Sequence, residues 1–106
     1  MHIQNELWFT AVNRLYYACF YAVIALLAEY EINTKTHNGT RQMFGLHFVE
    51  HGLISSEAGR FYTKIFDLRH DGDYDDYTGY EQEDVLALMR PAEDLINQIQ
   101  VIIFKQ

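Results

Sequence analysis

The sequence predicts an all-α protein, an antiparallel up-and-down bundle of four helices with a kink in the last. Three observations carry that expectation. Apolar residues recur at spacings of three and four, which places them on one side of a helix. No stretch alternates apolar and polar residues over a useful length, as a half-buried strand would. A single proline in 106 residues speaks against a chain built of turns. That length allows one domain, residues 1–106. With 49% hydrophobic and 22% charged residues the chain can bury a core and is too apolar to be disordered.

The first helix is expected from Asn5, a competent N-cap, to about Tyr30. From Leu15 to Ala28, fourteen residues (LYYACFYAVIALLA) are uncharged and apolar on every side. A membrane-spanning helix needs about 20 residues, so this stretch is read as a core helix surrounded by protein, with no membrane partner. Asn33 to Gly39 forms a polar connection. The second helix runs from Thr40 to His51, with Phe44 and Phe48 one turn apart and Gly52 at its C′ position. The third starts near Ser55 or Ser56, either able to cap it, and carries Ala58, Phe61, Ile65 and Leu68 as one stripe. The stripe stops before the acidic, glycine-punctuated HDGDYDDYTGY. The last helix is expected from Glu81 to Phe104, with Val85, Leu88, Ala92, Leu95, Ile99 and Ile102 inward. Pro91 lacks a backbone donor and clashes with the carbonyl four residues earlier, hence the expected kink.

Fifteen acids against eight Lys and Arg give a formal charge of −7. That balance argues against a protein that coats nucleic acid, which needs clustered cations, but it permits a local basic site. Eight of the fifteen acids lie between Asp67 and Asp84, and Arg69 is the one Lys or Arg among them. The lone Cys19 cannot form an intramolecular disulfide and reads as a small buried side chain, which fits a reducing compartment. The N-terminal MHIQNELW has no cationic stretch followed by an apolar core. A cytoplasmic location is expected.

Three constellations are candidates for chemistry. His47-Phe-Val-Glu50-His51 matches the inverted zinc-protease pattern, in which two imidazoles one turn apart share a zinc and the glutamate activates water. A catalytic site also needs a third ligand and a cleft. The plainer reading is two histidines edging the Phe44/Phe48 stripe, with a zinc hydrolase as a remote alternative. Asp71-Gly-Asp73-Tyr-Asp75-Asp76 opens like a calcium loop but has Asp76 where a glycine belongs and Gln82 where a glutamate belongs. It reads as a solvated acidic connection that brings negative charge to the N-terminus of the last helix. No metal and no cofactor is expected. The third constellation is Arg69 with Tyr74. A guanidinium matches phosphate with a planar fork; the plainer role is an i, i+4 pair with Asp73.

Ala11-Val-Asn-Arg14-Leu-Tyr16-Tyr17-Ala18-Cys-Phe20 resembles the A-x-x-R-x-Y-Y-A-x-F helix of HEPN-domain proteins. The resemblance continues through Lys35-Thr-His37-Asn-Gly39, Phe44, Phe48-Val49, Gly52 and Arg69-x-x-x-Asp73-Tyr74 into a final amphipathic helix. It implies an α-helical bundle that usually dimerises. Many family members are metal-independent ribonucleases with an R-x(4–6)-H motif at a cleft between protomers, and several are toxins paired with a nucleotidyltransferase antitoxin. Others bind nucleotides or act as interaction modules without nuclease activity.

By that resemblance the family's arginine is Arg69. The positions where its histidine would fall hold Tyr74, Asp75 and Asp76; His70 adjoins Arg69 and would project about 100° away on a helix. Tyr74 stands where some toxin members carry tyrosine. A phenol with a pKa of about 10 is a weak base at neutral pH, but it can orient a phosphate or a 2′-hydroxyl. The resemblance thus implies Arg69, Tyr74 and Asp73 as catalytic candidates, Asp73 fixing the arginine, and Arg14 and His37 as binding candidates. Two readings stay open: an RNA-cleaving, toxin-like component of a nucleotidyltransferase pair, and a non-catalytic module that binds a nucleotide or a partner protein. Family members of this type usually carry a helix before the YYA helix, which is expected to be missing here. A homodimer or a partner chain is then expected to cover the exposed apolar side.

Overall fold

The computed structural model describes residues 3–70 and 82–105, with side chains placed for 7–69 and 82–105. Among the described residues the elements are α1 (Ile3–Glu29), α2 (His37–Phe44), a π-helical turn (Gly45–Val49), α3 (Ser56–His70) and α4 (Gln82–Phe104), with no strand. This is the all-α helical bundle that the periodicity predicted. Asp71, Asp73, Tyr74, Asp75 and Asp76 lie outside the described residues.

The longest helix, α1, packs most extensively on α4 and also on α3 and α2, while α3 packs on α4. Its buried side carries Val12, Tyr16, Cys19, Val23, Leu26 and Leu27. The helix starts before Asn5, and it ends without a glycine. Glu31 takes the left-handed conformation at φ 60°. The Ile32 N–H reaches back to the Leu27 carbonyl at 2.8 Å and the Glu31 N–H to that of Ala28 at 3.0 Å. This pairing satisfies the last carbonyls of a helix.

The polar connection ends at Thr36, earlier than Gly39. The Thr36 hydroxyl accepts the Gly39 N–H at 2.8 Å and so caps α2. His37 therefore belongs to the first turn of a helix and not to a loop. Thr40, fully buried, is satisfied by the Thr36 carbonyl at 2.9 Å and the Thr34 hydroxyl at 2.7 Å.

The second predicted helix is not uniform. After Phe44 the backbone widens into a π turn, in which the Glu50 N–H donates to the Gly45 carbonyl at 2.9 Å. Val49 then lies against Gly59 of α3, where a Cβ would stand 2.8 Å from the Val49 Cγ1. Only a residue without a side chain permits that approach. Gly52, at φ 76°, terminates the turn as expected.

Of the two candidate caps for α3, Ser55 serves: its Oγ accepts the Ala58 N–H at 3.1 Å. Gln98 of α4 holds the same residue twice, its Oε1 taking the Ser55 N–H at 2.9 Å and its Nε2 donating to the Ser55 Oγ at 3.0 Å. α4 buries Val85, Leu88, Ala92, Leu95 and Ile99, and it continues as helix through Pro91.

Among the described residues α1 is long and apolar enough, over Leu7–Glu29, to cross a membrane by length and composition. In the bundle its inner side is core, which accounts for the same composition. The outward side exposes Leu7, Arg14, Ala18, Tyr21 and Ala25.

Candidate functional site

A little over one turn of α1 sets up the site. Tyr16, Tyr17 and Phe20 lie within it, so their rings emerge on adjoining sides of the helix. Tyr16 is fully buried and sits among Phe20, Tyr62 and Phe66. Its hydroxyl and His37 Nδ1 are 2.8 Å apart. The imidazole stacks on Phe20 with ring centres 4.3 Å apart and planes 6° from parallel. It meets Tyr17 edge-on at 6.0 Å. Because Thr36 caps α2 at this point, the helix start fixes where the ring stands.

Burial pushes the Tyr16 hydroxyl up to about 12, chiefly by removing it from water. At neutral pH it is a phenol, able to donate to an unprotonated Nδ1 or accept from a protonated one. Tyr62, whose hydroxyl is buried nearby, is pushed further in the same direction, again chiefly by burial. That hydroxyl interacts with the Tyr16 hydroxyl but stands outside full hydrogen-bond geometry with any group among the described residues.

Arg69 comes from the last turn of α3. Its guanidinium carbon lies 5.8 Å from the centre of the Tyr17 ring, within the range of a cation–π contact. Its Nε is buried without a hydrogen-bond partner among the described residues, while the residue as a whole is half-buried. Tyr17 therefore touches both Arg69 and His37, two residues 32 positions apart in the chain. Arg14 is exposed, one turn before Tyr17 on the same helix, and so stands at the outer edge of the cluster. Asp73 and Tyr74 fall outside the described residues.

The chain is similar to known proteins over most of its length. The model of the HEPN domain matches residues 2–102. The chain belongs to the HEPN domain family. A UPF0332 protein of Thermotoga maritima is 38% identical over 101 residues, covering 95% of this chain and 76% of its own. "Putative toxin MJ0605" of Methanocaldococcus jannaschii is 42% identical over 96 residues, covering 91% and 71%. "Putative toxin MJ0142" of the same organism is 31% identical over 95 residues, covering 90% and 65%. No solved structure matches. The YYA helix that carried the resemblance is thus the helix from which this HEPN chain builds its aromatic cluster.

The histidine constellation does not assemble. His47, Glu50 and His51 are all exposed, and among the described residues no three His, Cys, Asp or Glu side chains are grouped to hold a metal. The π turn and the Gly52 terminus account for this, because they end the helix at the second histidine. The calcium-loop residues 71–76 lie outside the described residues.

Sequence reasoning missed two features of the site. Tyr17 and Phe20 clamp His37, which their spacing on α1 hinted at without naming a partner. Arg41 stands one turn after His37 on α2, its guanidinium carbon 5.1 Å from the Phe66 ring centre. The i, i+4 spacing of His37 and Arg41 was the available signal.

Proposed function

We propose that this HEPN chain is the RNA-cleaving, toxin-like component of a pair with a nucleotidyltransferase antitoxin, acting as a metal-independent endoribonuclease in the cytoplasm. One observation carries the reading: Arg69 and His37 converge on Tyr17 within a HEPN fold. The names of the relatives from Methanocaldococcus jannaschii support the toxin class. In this reading the Arg69 fork binds the scissile phosphate and stabilises the charge that builds on it. Tyr74 orients the phosphate or the 2′-hydroxyl, and Asp73 fixes the arginine. His37, held at Nδ1 by Tyr16, binds the nucleotide from α2, and Arg14 contributes at the edge. The single domain pairs with a second copy through the outward side of α1, which completes the cleft.

A second reading, a non-catalytic module for a nucleotide or a partner protein, is favoured by the absence of histidine five to seven residues beyond Arg69 and by the charge of −7. One experiment separates the two. Wild type, Arg69→Ala, Tyr74→Phe and His37→Ala are incubated with several RNAs in chelator. Cleavage by wild type that drops at least about 100-fold in Arg69→Ala, on the scale of one lost charge-stabilising group, supports the nuclease. No cleavage of any RNA by wild type leaves the binding module as the function.

A further inference from the structure

A groove of about 980 Å³ runs between α2 and the π turn on one side and α3 on the other. It adjoins the aromatic cluster through Arg41 and Tyr62, but none of its lining residues has a part in the RNA-cleavage reading. Its size suits a small organic ligand, whose sites are mostly apolar with a few placed polar groups. Leu46, Val49 and Leu68 give it apolar walls. Gly45 gives it depth: a Cβ there would meet nothing within 4 Å. That glycine opens a π turn, a rare backbone form that recurs at functional sites.

The charge of the groove is the reverse of the chain's. Arg41, Arg60 and Lys64 line it, three of only eight Lys and Arg residues, against the two acids Glu50 and Asp67. Arg41 is also fixed in advance. One of its terminal nitrogens donates to the Asn38 Oδ1 at 2.6 Å, and its guanidinium lies over Phe66. Its buried Nε–H has no acceptor among the described residues. A guanidinium has five donors, and the Asn38 bond holds this one by a terminal nitrogen, so its remaining terminal N–H groups can meet an oxyanion.

We propose that this groove binds an apolar organic molecule with one anionic head, its body over Gly45, Leu46 and Val49 and its carboxylate or phosphate on Arg41 and Lys64. The full chain is titrated with 1-anilinonaphthalene-8-sulfonate, an apolar anion that fluoresces on binding, and the probe is then displaced with decanoate, decyl phosphate or decanol. One saturable site is expected. At least one of the two anions displaces the probe at a tenfold lower concentration than decanol, and which one does so identifies the head group. Gly45→Leu, which fills the groove from a helical backbone (φ −60°, ψ −48°) with room for a side chain, abolishes binding. Arg41→Gln and Lys64→Gln each weaken it about tenfold. Phe104→Ser, which removes the most exposed large apolar side chain among the described residues, at 78% exposure, leaves it unchanged. Circular dichroism establishes that each variant is folded, and Lys64→Gln on the exposed side of α3 serves if Arg41→Gln is not. Equal displacement by decanol, full binding by folded Gly45→Leu, or displacement only by an RNA oligonucleotide overturns the proposal.

Discussion

The seam along α4 and the junction of α1, α2 and α3 are built from different chemistry. Along α4 the buried side chains are Val85, Leu88, Ala92, Leu95 and Ile99, all aliphatic. At the junction they are Tyr16, Tyr62, Phe44 and Phe66, with His37 bonded to Tyr16. Buried polar atoms in folded proteins nearly always find partners. Among the described residues four side-chain atoms do not, and three of them, on Arg41, Tyr62 and Arg69, belong to residues of the junction. Each unmet group costs about 1–3 kcal/mol. The seam has to supply the stability that the junction gives up, and departures of this kind gather where a protein has a function to perform.

The sharpest way to break that comparison is to truncate each side. Leu95 has no exposed surface, so Leu95→Ala is expected to lower unfolding stability by about 2–5 kcal/mol, read from the urea midpoint. Tyr62→Phe removes only the unmet hydroxyl and keeps the ring, so stability is expected to hold or to rise by up to about 1 kcal/mol. Equal losses in the two variants would mean that the Tyr62 hydroxyl has a partner after all and that the junction carries no deficit.

The next effect depends on pH. Tyr16 ionises at about 10 in the unfolded chain and at about 12 in the folded one, because burial disfavours the phenolate. Between these values the unfolded state releases a proton that the folded state keeps. The contribution of Tyr16 is therefore full below pH 10 and falls as pH rises from 10 to 12, by up to about 1.4 kcal/mol per pH unit. Cys19, buried and likewise raised from 9.0 to about 12, adds a fall that begins near pH 9. Tyr16→Phe is expected to be about 1–3 kcal/mol less stable at pH 7, since His37 loses its bond. It should also lose stability less steeply above pH 10. Urea midpoints at pH 7, 9, 10 and 11 check both signs.

The fold was legible because its signals are local. Phe61 and Ile65 of α3, and Leu88, Ala92, Leu95 and Ile99 of α4, show their spacing in the sequence itself, and each is buried. Gly52 was legible as a terminus because its conformation is one that few other residues adopt. The start of α2 was read too late because Thr36 has no apolar neighbour to mark it; its role rests on one side-chain bond. The contact of Val49 at the end of the π turn with Gly59, ten residues on, was illegible because it exists only once α3 is packed against the turn. Arg69 and His37 could each be named as candidates. Their meeting at Tyr17 could not, since it requires three helices to be packed at once.

A smaller effect concerns the link between the two regions. Gln98 is the side chain through which α4 grips the start of α3, with two hydrogen bonds to Ser55. Gln98→Ala leaves the Ser55 N–H without its acceptor, and because the group is exposed, water replaces part of the loss. A destabilisation of about 1 kcal/mol is expected. Hydrogen exchange should quicken at Ser55 with the middle of α4 unchanged, whereas faster exchange throughout α4 would show that the grip supports the seam as well.

The smallest effect compares two ways of ending a helix. Gly52 and Glu31 occupy the same left-handed position after their helices, at φ 76° and 60°. In both, the following residue reaches back five positions, Leu53 to Phe48 at 2.9 Å and Ile32 to Leu27 at 2.8 Å. Only glycine adopts this conformation without steric cost, about 1–2 kcal/mol for other residues. Glycine also gives the unfolded chain more freedom, which offsets part of the gain. Glu31→Gly is therefore expected to stabilise by less than about 1 kcal/mol, and Gly52→Ala to destabilise by about 1 kcal/mol. If Glu31→Gly instead lowers the urea midpoint, the Glu31 side chain contributes more than its backbone costs, and the two termini are alike in geometry but not in energetics.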